Sequence, residues 1–236
     1  MVRHWINFLL TNIFKFAVFV GALLTCENTY AETPFDASVE ASKCINLSLE
    51  KRYNSAIPFC QKACSIHDGV GCYYLGMMYS FGYGVIQNFK YAVPYYEKAC
   101  SSEYYTYSTS PIYRGASDFY RSQGCLALGV IYDDVRDNLK AKNYYLESCN
   151  LNNQKGCFRL AAFYNKNKDY KNSGKYYKKS CELKHPDGCL SLSILYINPD
   201  GNSHDFIKGK EYAGKACDLG SKEGCNVYRE LNEKGY

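Results

Sequence analysis

The residues best equipped for chemistry in this sequence are its 13 cysteines. Four pairs lie eight residues apart: Cys64/Cys72, Cys149/Cys157, Cys181/Cys189 and Cys217/Cys225. A fifth pair, Cys100/Cys125, has the same flanks around extra residues. Thiolates can hold zinc, exchange disulfides or form permanent bonds. No C-x-x-C occurs, and a spacing that recurs along the chain points to structural disulfides in an oxidising compartment. A serine nucleophile has one candidate, Ser48-Leu49-Glu50-Lys51, which reads S-x-x-K. It spans an expected turn, whereas such a nucleophile opens a helix, and no S-D-N or K-T-G element accompanies it. Three histidines follow residue 31: His67, His185 and His204. None has H-x-H-x-D or H-E-x-x-H spacing, so no metal and no cofactor is expected. His67-Asp68 and His185-Pro186-Asp187 fall in equivalent loops, where turn and capping roles suffice. No catalytic residue can be named from these patterns.

The cysteines also mark the elements that position them. Glycine precedes Cys72, Cys125, Cys157, Cys189 and Cys225. Counting forward from these cysteines, the third residue is Leu75, Leu128, Leu160 or Leu192, followed by Gly76, Gly129, Ala161 or Ser193. The seventh is Tyr79, Tyr132, Tyr164 or Tyr196. Offsets of 3, 4 and 7 share one helix face. Counting back five from the first cysteine of each pair gives Phe59, Tyr95, Tyr144, Tyr176 and Tyr212; counting back eight gives Ala56, Ala92, Ala141, Ser173 and Gly209. Two amphipathic helices per repeat, neither able to bury its stripe alone, predict stacked helix pairs with one continuous core. Gly82 and Gly84 in the first full linker suit a left-handed turn; no strand precedes them as a phosphate loop requires.

The ends and the charge narrow the setting. Arg3 and Lys15 precede or enter an apolar stretch, Phe16 to Cys26, and Thr29-Tyr30-Ala31 offers a cleavage site before Glu32. This reads as a signal peptide over 1–31. Trp5 to Cys26 would also serve as an uncleaved anchor, and Cys26 as a lipidated residue. The chain carries +5, or +4 beyond residue 31, with no basic run, which sets nucleic acid aside.

The run Leu75-Gly76-Met77-Met78-Tyr79, the Gly82-to-Val85 turn and Tyr95-Tyr96-Glu97-Lys98-Ala99-Cys100 resemble a Sel1-like repeat, a relative of the tetratricopeptide repeat. With the eight-spaced cysteines, the chain is similar to the Helicobacter cysteine-rich protein family over about residues 36–236. The resemblance implies an all-α, right-handed α/α superhelix outside the cytoplasm, periplasmic or secreted. It also implies penicillin binding or weak β-lactamase activity and interactions with other proteins. Partners implied are β-lactam or peptidoglycan-like small molecules, or a protein or peptide, with no stable membrane insertion after cleavage. Two other readings stand beside it: a non-enzymatic extracytoplasmic interaction scaffold and a purely structural envelope protein. Residues 32–236 are expected to be one solenoid, with repeats over 36–66, 70–101, 123–150, 155–182 and 187–218 and a polar capping helix over 223–236.

Two disulfide schemes are open: a cysteine ending one helix pair joins the next pair, or the two cysteines flanking one pair join. The second strands Cys64 and Cys225 at opposite ends. The first leaves Cys44 and Cys60, in slots that meet across a helix pair, to bond with each other. It gives Cys44–Cys60, Cys64–Cys72, Cys100–Cys125, Cys149–Cys157, Cys181–Cys189 and Cys217–Cys225. Three departures from the repeat stand out. Residues 101–121 read as an inserted loop whose Tyr104, Tyr105, Tyr107, Tyr113, Phe119 and Tyr120 could form a binding loop or dock on the solenoid. Pro58 and Pro94 are expected to kink their helices. Two linkers are shorter by four residues. The tyrosines at repeat slots are expected to pack between helices.

Overall fold

Each helix starts and stops for local reasons that recur along the chain. Asp137, Asp169 and Asp205 cap their helices by accepting from the backbone N–H of Lys140, Asn172 and Lys208. At the other ends the chain leaves the helix through a left-handed residue: His67, Asn152, Lys184 and Gly220 between repeats, and Lys51, Arg136 and Lys168 within them. Gly82 and Gly84 also take positive φ, 74° and 71°.

The computed structural model describes residues 34–101, 111–199 and 204–236. Eleven helices lie among them: α1 Pro34–Leu49, α2 Tyr53–Ser65, α3 Gly69–Phe81, α4 Phe89–Ser101, α5 Pro111–Asp134, α6 Asn138–Asn150, α7 Gln154–Lys166, α8 Tyr170–Glu182, α9 Pro186–Ile197, α10 Phe206–Asp218 and α11 Lys222–Glu233. Residues 37–236 form one unit in which each helix packs on the next, a paired all-α solenoid. The core is a row of clusters, one after another along the chain. No described helix is long and apolar enough to cross a membrane. The expected signal peptide, Cys26 and the Glu32 cleavage point lie outside the described residues.

Six disulfides join Cys44–Cys60, Cys64–Cys72, Cys100–Cys125, Cys149–Cys157, Cys181–Cys189 and Cys217–Cys225, with Cα atoms 4.4–4.9 Å apart. The last five close the turns between repeats. Such closeness leaves no room for a side chain beside the second cysteine. A Cβ on Gly71 would lie 2.6 Å from the Cys60 carbonyl oxygen and 2.7 Å from the Cys64 nitrogen. The glycine there is a packing requirement.

One expectation needs correction. Residues 111–121 are helix, the first turns of the 24-residue α5, and not a loop. Pro111 sits at the first helical position, where its missing N–H costs nothing, and Gly115 weakens the helix without ending it before the repeat's own first helix begins. Pro58 and Pro94 lie inside α2 and α4, each removing one hydrogen bond from a helix of 13 residues. The polar terminal helix α11 is largely exposed, its buried residues being Gly224 and Leu231. That suits an end with no further repeat to cover.

Candidate binding surface: a ladder of stacked tyrosines

The two tyrosine slots of the repeat meet. The seventh residue after the second cysteine, on the first helix, stacks on the residue five before the next cysteine, on the second helix. The rungs are Tyr79–Tyr95, Tyr132–Tyr144, Tyr164–Tyr176 and Tyr196–Tyr212. Ring centroids are 5.5–5.7 Å apart and the planes lie within 8° of parallel. All eight rings are half-buried. Burial, with the neighbouring Tyr79, holds the Tyr95 hydroxyl above its usual range. Burial also raises Tyr144, helped by Glu97.

The next residue along each second helix goes inward instead. Tyr96, Tyr145 and Tyr177 are buried, and their rings press on the small slot of the facing helix. A Cβ on Gly76 would meet the Tyr96 ring at 2.6 Å, so glycine there makes space for the ring. Burial pushes the Tyr96 hydroxyl up to about 12. Tyr145 is raised as well, and its hydroxyl donates to Asp133 Oδ2 at 3.3 Å. These are neutral packing groups at ordinary pH. In the first pair, Cys44 and Cys60 occupy the same facing slots and a disulfide replaces the ring.

Lysines line the rungs. Ammonium nitrogens stand 4.7 Å (Lys140) and 5.5 Å (Lys208) from the Tyr132 and Tyr196 centroids. Lys142 approaches Tyr164 at 5.8 Å, Lys175 approaches Tyr176 at 5.2 Å and Lys215 approaches Tyr212 at 4.6 Å. At these distances each ammonium is drawn to the negative face of its ring. The arrangement sets aromatic rings and ammonium groups side by side at repeat spacing, with Lys140, Lys208 and Lys215 also paired to Asp137, Asp205 and Glu211.

The other candidates separate. Ser48 is buried, 4% exposed, in the last turn of α1, and its Oγ donates to the Cys44 carbonyl at 2.6 Å. A hydroxyl so placed closes a helix turn. His67 occupies the turn before α3, and Asp68 caps that helix by accepting from Val70 N at 2.7 Å. His185 caps α9 through Nδ1, which accepts from Gly188 N at 3.2 Å, and its ring stacks on Phe158. His204 meets Phe206 edge-on. Among the described residues no group of three or more His, Cys, Asp or Glu could hold a metal. Of the supposed binding loop, Tyr104, Tyr105 and Tyr107 lie outside the described residues. Tyr113 is on α5. Phe119 is 54% exposed, and Tyr120 lies against Tyr73 and Tyr74, its hydroxyl 3.5 Å from that of Tyr74. So Tyr120 docks the extension of α5 onto α3. The half-exposed ladder was not read from the sequence, although the doublets Tyr95-Tyr96, Tyr144-Tyr145 and Tyr176-Tyr177 carry its signal. Adjacent helical positions lie 100° apart, so two neighbouring rings cannot both face one core.

Known proteins share this construction. The Sel1 repeat model matches residues 69–104 and 186–221, which hold α3/α4 and α9/α10, and a tetratricopeptide model matches 122–155 and 154–185. The chain carries Sel1 and tetratricopeptide repeats. A Sel1 repeat protein from Oxalobacter formigenes superposes with a TM-score of 0.64 at 16% identity, over 80% of this chain and 73% of that one, and so shares the fold. Helicobacter pylori cysteine rich protein B is 28% identical over 61% of this chain and 98% of its own length, with a TM-score of 0.45. An uncharacterised Haemophilus influenzae protein is 63% identical over 30 residues, 13% of this Sel1-like chain. The match spans 58% of that relative's length. Six disulfides fit an oxidising, extracytoplasmic setting.

Proposed function

We propose that this Sel1-like protein is exported by cleavage after Ala31 and works outside the cytoplasm as a protein-interaction scaffold. The observation that carries the reading is the tyrosine ladder with its lysines, presented at repeat spacing on a covalently stapled solenoid. Rigid presentation matters because a surface that is already ordered loses little entropy on binding. Tyrosine supplies contact area with few rotatable bonds. A photo-crosslinking residue at position 132 or 164, in protein expressed by its own host, tests this. A discrete crosslinked protein from both positions and none from position 229 on α11 is expected. Equal crosslinking from all three, or none from any, defeats the reading.

β-Lactam binding, the activity attached to the resembled family, would have to use a surface other than Ser48, whose hydroxyl is committed to a backbone carbonyl. Efficient acyl transfer needs an activated nucleophile and an oxyanion site held together. A chromogenic cephalosporin is therefore expected to turn over no faster with wild type than with Ser48→Ala.

A further inference from the structure

The positive charge of this chain is concentrated in one helix pair. Residues 154–182 hold eight basic and two acidic side chains, a net +6, against +5 for all 236 residues. Taking these from the chain's totals of 28 and 23 leaves 20 basic and 21 acidic residues elsewhere, so the rest of the molecule is close to neutral. On α7 the cations are Lys155, Arg159 and Lys166, all exposed. On α8, Lys171, Lys175 and Lys178 are exposed at positions i, i+4 and i+7, one face of the helix. They follow one another over about 10 Å of helix axis.

No other second helix has this face. Its equivalents are Asn54, Pro58 and Gln61 on α2; Lys90, Pro94 and Glu97 on α4; Leu139, Asn143 and Leu146 on α6; and Ile207, Glu211 and Gly214 on α10. Among the described residues, Lys178 alone of the pair's eight cations has a carboxylate within 4 Å, Glu182 at 3.9 Å. Lys179 is turned the other way and donates to the Cys149 carbonyl at 2.8 Å. Asp169, the pair's other acidic residue, is used as the helix cap. Like charges three and four residues apart repel and destabilise a helix. Within the chain that repulsion is met only by the Lys178–Glu182 pair and by the contact of Lys175 with the Tyr176 ring.

We infer that the α8 face docks an acidic segment of a partner protein, with Lys171, Lys175 and Lys178 pairing to its carboxylates beside the Tyr164–Tyr176 rung. The inference rests on the scaffold reading and names the chemistry of the partner. The site is three ammoniums long and bounded by the near-neutral faces of α6 and α10. That suits a short cluster of carboxylates better than a long polyanion, which would need a charged track over several repeats. The rung supplies apolar and aromatic contact next to the charges, as a peptide with acidic and apolar side chains requires.

The test measures fluorescence anisotropy with a 14-residue helical peptide bearing glutamates at i, i+4, i+7 and i+11. It compares wild type, Lys171→Glu/Lys175→Glu/Lys178→Glu, and a control of equal charge change, Lys43→Glu/Lys90→Glu/Lys98→Glu. The α8 variant is expected to bind at least tenfold more weakly, the control within twofold, and wild-type binding to weaken as salt rises. Should the reversal variant fail to fold by circular dichroism, the Lys→Gln triple replaces it, with a fivefold loss expected. Equal losses in both sets, or no binding to wild type, overturn the inference. So does tighter binding of a single-stranded oligonucleotide or anionic vesicles that is lost with the same three lysines. Crosslinks from position 164 that survive the α8 reversal would defeat this inference alone; absence of crosslinks from wild type would defeat the scaffold reading beneath it.

Discussion

The solenoid has two edges, and they are built under different constraints. At one edge the turns between repeats are closed by disulfides; at the other the turns within repeats are closed by the backbone alone. Both use the same ending: a left-handed residue, then a cap whose N–H returns to a carbonyl in the preceding helix. At the stapled edge Asp68, Asn153, His185 and Ser221 return to Ala63, Ser148, Ser180 and Ala216. At the free edge Asp137 and Asp169 return to Tyr132 and Tyr164. In the longer free-edge linkers Asn88 and Asp205 still reach the Tyr79 and Tyr196 carbonyls. So the free edge varies in length while delivering the second helix to the same rung. Its tips are also where large apolar residues stand exposed: Ile86, Val135, Leu139 and Ile207. The stapled edge holds its Cα atoms at 4.4–4.8 Å; four of its five turns separate the cysteines by eight residues, and only the Cys100–Cys125 joint carries extra chain, the extension of α5.

The largest effect expected is from cutting a staple. Cys64→Ala/Cys72→Ala reopens an eight-residue loop, and loop-closure entropy alone puts the loss at about 2.5 kcal/mol. Urea unfolding measures it, and a loss under about 1 kcal/mol would mean the edge is held by packing instead. Next comes Gly71→Ala with the disulfide intact. The new methyl meets backbone on two sides, at 2.6 and 2.7 Å, so a net loss of about 1–2 kcal/mol is expected despite alanine's better helix propensity.

A smaller effect separates the stapled joints from one another. His185 is buried against Phe158 and caps α9 with an unprotonated Nδ1; burial lowers its pKa below 6.5, with Lys155 adding to this and Asp187 opposing. Because the folded value is depressed, its contribution is present above pH 6.5 and lost as pH falls through the folded pKa. The cap is worth about 1 kcal/mol. The melting temperature of wild type should therefore fall more between pH 7.5 and 5 than that of His185→Asn, which keeps a cap that does not titrate. Equal falls would show that His185 does not sense pH. The smallest effect belongs to the free edge. Two glycines inserted after Pro199 should cost well under about 1 kcal/mol, since loop entropy grows slowly with length. The same insertion after His67 should cost more.

Much of this was legible in the residues because the repeat states its own period. Gly-Cys followed by Leu, a small residue and Tyr at fixed offsets marks a helix face, and the cysteine spacing marks the turn that joins two pairs. The insertion misled because its missing repeat slots suggested a loop, whereas residues 111–121 are helix despite Gly115. The basic pair was also missed, since charge averaged over the chain hides a local excess in residues 154–182.

The sequence by itself determined the helix pairs, their caps and their period, because these depend on neighbours within a few residues. Which of two adjacent tyrosines faces solvent was decided only by the tertiary structure. So was the meeting of each lysine ammonium with its ring, and so was Ser48's commitment to the Cys44 carbonyl. Each of those depends on which neighbouring groups fill the space around a side chain, and local spacing carries no record of that.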